Sequence, residues 1–270
     1  MKNRKIIDIH THVYPEKISN AAVVSLGRFY NFVPEGNGTF PELYSTSVDN
    51  GISGALMLAT ATNARQVEHV NDWIATLARE ANENGFEAYA FGGYHQDCVD
   101  TEAVVAHATG MGIRGFKIHP DIQGVDIDDE RLLPLYAICE REKLPVYLHM
   151  GDDRPEYRFS EARKLVNILE KFPDLTVGAA HLGGYSAWDE ASVLIGAPNV
   201  YYDTSSALWA ITPEFAAEQI HKLGVDKVML GADYPVMLAN HELERLYALG
   251  LTDEELDKIC YFNAKDFLGI

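Results

Sequence analysis

Six residues define the chemistry to be explained: His10, His12, His119, His149, His181 and Asp233. Imidazole nitrogen and carboxylate oxygen are the donors that a catalytic zinc ion prefers, with about three or four protein ligands and one position left for water. His10 and His12 are two apart, so on a strand both side chains leave the same face and can share one ion. Buried together without such a partner, the two imidazoles would carry the desolvation penalty of unpaired polar groups. His149 and Asp233 complete a set of three histidines and one aspartate around one divalent ion, expected to be zinc. An ion held there lowers the pKa of a bound water toward about 7 or polarises a substrate oxygen.

Further polar residues surround that set. Lys117 shares strand parity with His119 and lies one layer deeper, where an unpaired ammonium is expensive. It pairs with Asp8, which stands in the same relation to His10, or meets a substrate carboxylate, or is modified to bridge two metals. His119 contacts substrate or hydrogen-bonds to a ligand and orients it. Arg154 and Arg158, in the segment GDDRPEYRFS after His149, either grip an anionic substrate with bidentate geometry or stay solvated. His69, His107, His221 and His241 lie in helical stretches and His95 follows the third strand; none is assigned a role.

These residues need a scaffold that brings strand ends together. Short apolar, β-rich runs occur at 6–10, 55–59, 88–92, 115–119, 146–149, 176–181, 200–204 and 227–231. Helical periodicity fills the gaps at 64–83, 102–111, 130–143, 161–172, 189–195, 213–223 and 241–249. Strand and helix alternating eight times predict an α/β fold, a (β/α)8 TIM barrel over residues 1–270 as one domain. An open doubly wound sheet would need a G-x-G-x-x-G turn after the first strand, and none is present. The segment 31–39, NFVPEGNGT, reads as a turn-rich active-site flap, and 252–268 as an extra C-terminal helix closing the bottom or side of the barrel.

The chain has 270 residues and a net charge of −18, which repels nucleic acid and anionic membranes but not a small anion drawn to a bound cation. No apolar run approaches the ~18 residues of a membrane span, and the start MKNRKIIDIHTH lacks the apolar core of an export signal. Three scattered cysteines suit a reducing compartment, hence a cytoplasmic location. No sequence feature marks an oligomer interface.

The motifs IIDIHTHVYP, GFKIHP, PVYLHMG, AAHLGG and LGADYP, spread over residues 6–235, resemble those of the metal-dependent amidohydrolase superfamily. The resemblance is narrower to the branch that includes aminocarboxymuconate-semialdehyde decarboxylase. It implies a distorted barrel, a metal on His10, His12, His149 and Asp233, and His181 as general acid/base, titrating near neutrality, with Asp233 also moving a proton. Hydrolysis of a small amide, lactone or ester by metal-activated water is the leading expectation. Nonoxidative decarboxylation of a small unsaturated or aromatic acid is the second, and a metal-dependent small-molecule sensor without catalysis is the third.

Overall fold

A computed structural model describes residues 4–152 and 154–270. The first three residues of the basic start and Asp153 of the arginine-bearing segment therefore lie outside the described residues. The strands are β1 (Ile7–Thr11), β2 (Gly54–Leu58), β3 (Glu87–Gly93), β4 (Phe116–Ile118), β5 (Val146–Leu148), β6 (Val177–Ala179), β7 (Val200–Asp203) and β8 (Val228–Met229). They run parallel in chain order through one sheet. The ring is drawn together across β8 and β1: the Ile9 amide donates to Leu230 O at 2.9 Å, the Asp233 amide donates to His10 O at 2.8 Å, and Thr11 bridges to Tyr234. The expected (β/α)8 barrel is the fold, and all eight predicted strands are present.

The helices are α1 (Glu16–Tyr30), α2 (Phe40–Asp49), α3 (Val67–Glu83), α4 (Thr101–Gly110), α5 (Pro120–Gln123), α6 (Leu133–Glu142), α7 (Ala162–Lys171), α8 (Pro213–Leu223), α9 (Ala239–Tyr247), α10 (Asp253–Asp257) and α11 (Asn263–Leu268). The predicted helix at 189–195 is only a 3₁₀ segment, Glu190–Leu194. Three helices went unpredicted: α1 and α2, both in the connection after β1, and the single turn α5 after β4. Helix α1 fully buries only Ser19 and Gly27; its Ala22, Leu26, Phe29 and Tyr30 line a cavity rather than the core. Helix α2 starts at the expected flap's last residue, where the Thr39 hydroxyl accepts from the Glu42 amide.

Alternation along the strands divides the core. Met57, Ala90, Ile118 and Leu148 pack outward with the helices, while Leu56, Leu58, Phe91 and Tyr147 belong to a second, inner cluster. The C-terminal segment joins that inner cluster. Thr252 opens it with a capping box to Glu255, and the chain continues through a π-helical turn, Lys258–Phe262, into α11. Phe267 then lies against Phe91, Tyr147 and Tyr201, with ring centroids 5.9, 5.8 and 5.5 Å away, and floors the barrel. Gly178 makes room for it, since a Cβ there would meet the Phe267 ring at 3.0 Å and the Tyr147 ring at 2.8 Å.

The 31–39 segment is fastened rather than loose. The Gly36 amide donates to Pro235 O at 3.0 Å, the Glu35 amide to Val236 O at 3.2 Å, and the Tyr234 hydroxyl to Thr39 O at 3.0 Å. Among the described residues, no helix is long and apolar enough to cross a membrane.

Candidate active site

At the strand ends, His10 Nε2 and His12 Nε2 lie 3.2 Å apart, and Asp233 Oδ1 is 3.3 Å from the first and 3.7 Å from the second. The register of β1 on β2 shifts between Asp8 and Thr11, the kind of irregularity that re-aims side chains beside a site. Their partners fix which atoms face inward. The Leu58 carbonyl can only accept, so His12 Nδ1 donates to it at 3.0 Å and Nε2 keeps its lone pair. Likewise His10 Nδ1 donates to Asp203 Oδ2 at 3.0 Å, leaving its Nε2 unprotonated, with a lone pair. Three lone-pair atoms thus converge at separations close to the roughly 3.3 Å expected between tetrahedral ligands about 2.0–2.1 Å from zinc. The residues fit a divalent cation. Burial, and next the positive charge of Lys117, push His12 down to about 3 and hold His10 well below its ordinary range, so both imidazoles are neutral, as ligands must be.

Asp203 anchors this arrangement from below. One oxygen receives His10 Nδ1–H and the Tyr147 hydroxyl; the other receives the His181 and Ser205 amides at 3.0 and 2.8 Å and the Ser205 hydroxyl. Burial alone would raise its pKa, but His10, then His181 and Ser205, outweigh that and hold the carboxyl well below the usual carboxylate range. Sequence reasoning missed Asp203, although it ends β7 in the same way that the other site residues end their strands. It also missed Ser205, Asp121 and Tyr30, the last because α1 was not foreseen.

Lys117 does not take the expected partner. Asp8 Oδ1 accepts the His10 and Ala232 amides, tying β1 to the chain after β8. The ammonium instead turns up to His10 Nε2 at 3.3 Å and over the Tyr147 ring at 4.9 Å. Burial lowers it to about 8, even with Asp233 and Asp203 acting to raise it.

His149 and His181 form the adjoining wall. His181 Nδ1 donates to Ser205 O at 3.0 Å, so its Nε2 carries the lone pair and meets His149 Nδ1 at 3.0 Å. His149 Nε2 lies 3.1 Å from Asp121 Oδ2, and its ring stacks on His119 at 4.3 Å. His149 lines the same space as Asp233 but stands outside the tight His10, His12, Asp233 group. The near-neutral His181 expected from sequence needs correction: burial, and then His149, lower it to about 3. His119 Nε2 is 3.1 Å from the Tyr30 hydroxyl, and its buried Nδ1 has no partner.

The arginines are occupied. Arg154 Nη2 and Nε bond Asp152 at 2.6 and 2.9 Å, Nη1 donates to Phe29 O at 2.8 Å, and the guanidinium lies over the Tyr157 ring at 4.1 Å. Arg158 is turned away, bonded to Glu161 and to Glu190 at 2.9 Å, on an outer groove with Asp128 and Arg163. His95 pairs with Asp97 at 3.7 Å, apart from the cluster.

Above the polar floor is a narrow cleft of about 20 Å³ whose walls include Tyr30, Phe32, Tyr185 and Trp209 and whose base includes His149, His181 and Asp233. A larger cavity, of about 220 Å³, lies beyond Tyr30 and takes in His12, Tyr14, Phe29, His119, Ile122, His149 and Asp233.

The chain belongs to the amidohydrolase family, whose model matches residues 7–270, and is an enzyme of that superfamily. It is 22% identical, over 98% of its own length and 91% of the relative's, to the 2-amino-3-carboxymuconate-6-semialdehyde decarboxylase of Dictyostelium discoideum. In fold it is similar to a 2,6-dihydroxybenzoate decarboxylase solved with 2,6-dihydroxybenzoate, with a TM-score of 0.72 at 15% identity, covering 99% of this chain and 100% of that one. It is also similar to a dihydroxybenzoic acid decarboxylase from Polaromonas, solved with manganese and the inhibitor 2-nitroresorcinol. That TM-score is 0.69 at 15% identity, covering 98% and 97% of the two chains. These relatives overturn hydrolysis as the leading expectation, because they are decarboxylases; the reaction placed second becomes the better supported one.

Proposed function

We propose that this chain is a metal-dependent nonoxidative decarboxylase of a small unsaturated or aromatic carboxylic acid. The observation that carries this reading is the cavity of about 220 Å³ that is walled in part by Tyr14, Phe29 and Tyr30 and opens onto His12, His119, His149 and Asp233. A flat conjugated ring can lie in that space against Tyr14, Phe29 and Tyr30, offset-stacked or edge-on, with its carboxylate directed at His12, His149 and Asp233.

His10, His12 and Asp233 would hold the ion, with His149 beside them. A divalent ion there supplies a Lewis acid that binds substrate oxygen and draws charge from it. Zinc suits the nitrogen-rich donors, whereas manganese accompanies the Polaromonas neighbour, and elemental analysis of untreated protein separates the two. In the reaction the bond between ring carbon and carboxylate breaks, its electron pair stays on the carbon, carbon dioxide leaves and one proton adds. His181 and Asp233 are the proton carriers. His181 is held by Ser205 with its unprotonated Nε2 turned toward His149, and Asp233 Oδ2 accepts from the Ser206 hydroxyl, so both groups stand where a proton can be passed to the substrate carbon. The aromatic walls keep bulk water from the carbon being protonated. The unpaired cysteines agree with the cytoplasmic location we propose.

The test is incubation of metal-loaded protein with aromatic and unsaturated acids in deuterium oxide. Carbon dioxide release, with one deuterium on the carbon that lost the carboxylate, is the expected result. Hydrolysis of lactones or amides with no carbon dioxide from any acid would sink the reading.

A further inference from the structure

The larger cavity is longer than a carboxylated ring needs. Helix α1 runs along one side of it and offers Ala22, Ser25, Leu26, Phe29 and Tyr30, positions three and four apart that share one helix face. The inner end of that face is fixed over the site, because the Tyr30 hydroxyl lies 3.1 Å from His119 Nε2 and Arg154 Nη1 donates to Phe29 O at 2.8 Å. From Tyr30 back to Ala22 is a little over two turns, about 12 Å of helix axis. A single ring with its carboxylate at His12, His149 and Asp233 fills only the inner part of that length. Ile122, Thr60 and Thr62 stand across from the helix. The one carboxylate lining the cavity is Asp233, at the floor, and among the described residues no lysine, arginine or glutamate lines it. The outer part is therefore neutral and largely apolar. Ala22, Leu26, Phe29 and Ile122 are only half-buried, and Ile18, one turn beyond Ala22 in the same row, is 46% exposed. Hydrocarbon laid along this face would cover apolar surface that the fold itself leaves uncovered.

We propose that α1 acts as a ruler for the substrate: the acid carries, on the side away from the reacting carboxylate, a short hydrocarbon arm that runs past Phe29 and Leu26 to Ala22, toward the exposed Ser25 and Thr62. Polar groups elsewhere on the ring are not restricted by it. This rests on the decarboxylase reading for the end at which the carboxylate lies, but its test is a binding measurement.

The experiment is calorimetry on metal-loaded protein with benzoate, 3-butylbenzoate and 4-butylbenzoate, the two butyl acids sending an arm from the far side of the ring in different directions. The better-placed isomer is expected to bind at least about tenfold more tightly than benzoate, since each buried methylene contributes up to about fourfold. Ala22→Trp, which sets a large ring across the outer part of the cavity, is expected to abolish that gain while benzoate keeps its affinity. Val24→Trp, on the exposed outer side of α1, is expected to change neither. Leu26→Gln keeps the size of the side chain but not its apolar surface, and is expected to reduce the gain severalfold; it decides the matter if Ala22→Trp loses the wild-type circular dichroism. No gain for either isomer overturns the proposal, as does failure of all three acids to bind. A gain that persists undiminished in folded Ala22→Trp or Leu26→Gln protein also overturns it. Loss of carbon dioxide from the bound acids is recorded separately. Its absence, with the length preference intact, removes the decarboxylase reading and leaves the ruler standing.

Discussion

Asp203 shows how much of the site depends on a residue that would not touch the ion. It fixes the tautomer of His10, receives the Tyr147 hydroxyl and holds the Ser205 and His181 backbone in place. Partners of this kind typically contribute about 10–100-fold to metal affinity. Asp203→Asn is therefore expected to weaken metal binding within that range in a chelator competition, with the fold intact by circular dichroism. His10→Ala with His12→Ala should abolish binding outright, and full metal content in that double variant would place the ion elsewhere. The paired His-x-His at a strand end was legible because parity and residue type point the same way. Asp203 obeyed the same rule but sits inside the aromatic YYD run, where it reads as the close of a strand rather than as a donor. Arg154 and Arg158 misled for a physical reason: a sequence shows a loop arginine but not the carboxylates that fold back on it.

At the scale of elements, the strands and most barrel helices were legible because each buries a patterned face. Helix α1 turns its patterned face to a cavity instead of the core, and its value lies in its end, where Phe29 and Tyr30 are gripped by Arg154. Arg154→Ala should free that end. Faster amide exchange over residues 16–30 and a raised KM with smaller change in kcat are expected, because Tyr30 walls both cavities. Equal exchange in the two proteins would show that the clasp holds nothing. Helix α11 acts at the opposite end of the barrel. Phe267→Ala would leave a void among Phe91, Tyr147 and Tyr201, and a destabilisation of about 3–5 kcal/mol in urea titration is the expected outcome.

For the whole molecule, the family was legible and the reaction was not. Hydrolases and decarboxylases can share one barrel and one ligand set. The aromatic residues over the site, Tyr30, Phe32, Tyr185 and Trp209, come from α1, the chain after it and the loops beyond β6 and β7, where periodicity carries no information. Global stability holds a further test in Glu242. It is fully buried in α9, and burial raises its carboxyl well above the ordinary value, with Arg245 opposing. The unfolded chain releases that proton near pH 4.3, while the folded chain keeps it to higher pH. Stability contributed by this group is thus complete below the unfolded pKa and declines as pH climbs toward the folded one. Glu242→Gln should raise the urea midpoint at pH 8 more than at pH 5; an equal shift at both would refute the assignment.

The seam between β1 and β8 has a consequence in time. His10 and His12 emerge from the ribosome more than two hundred residues before Asp233, yet all three meet only where the Ile9 amide reaches Leu230 and the Asp233 amide reaches His10. A nascent chain stalled anywhere between them holds two-thirds of a binding site and no way to finish it. An ion bound at that seam would therefore report that translation has run past the eighth strand, and would clasp early and late segments of the same chain together.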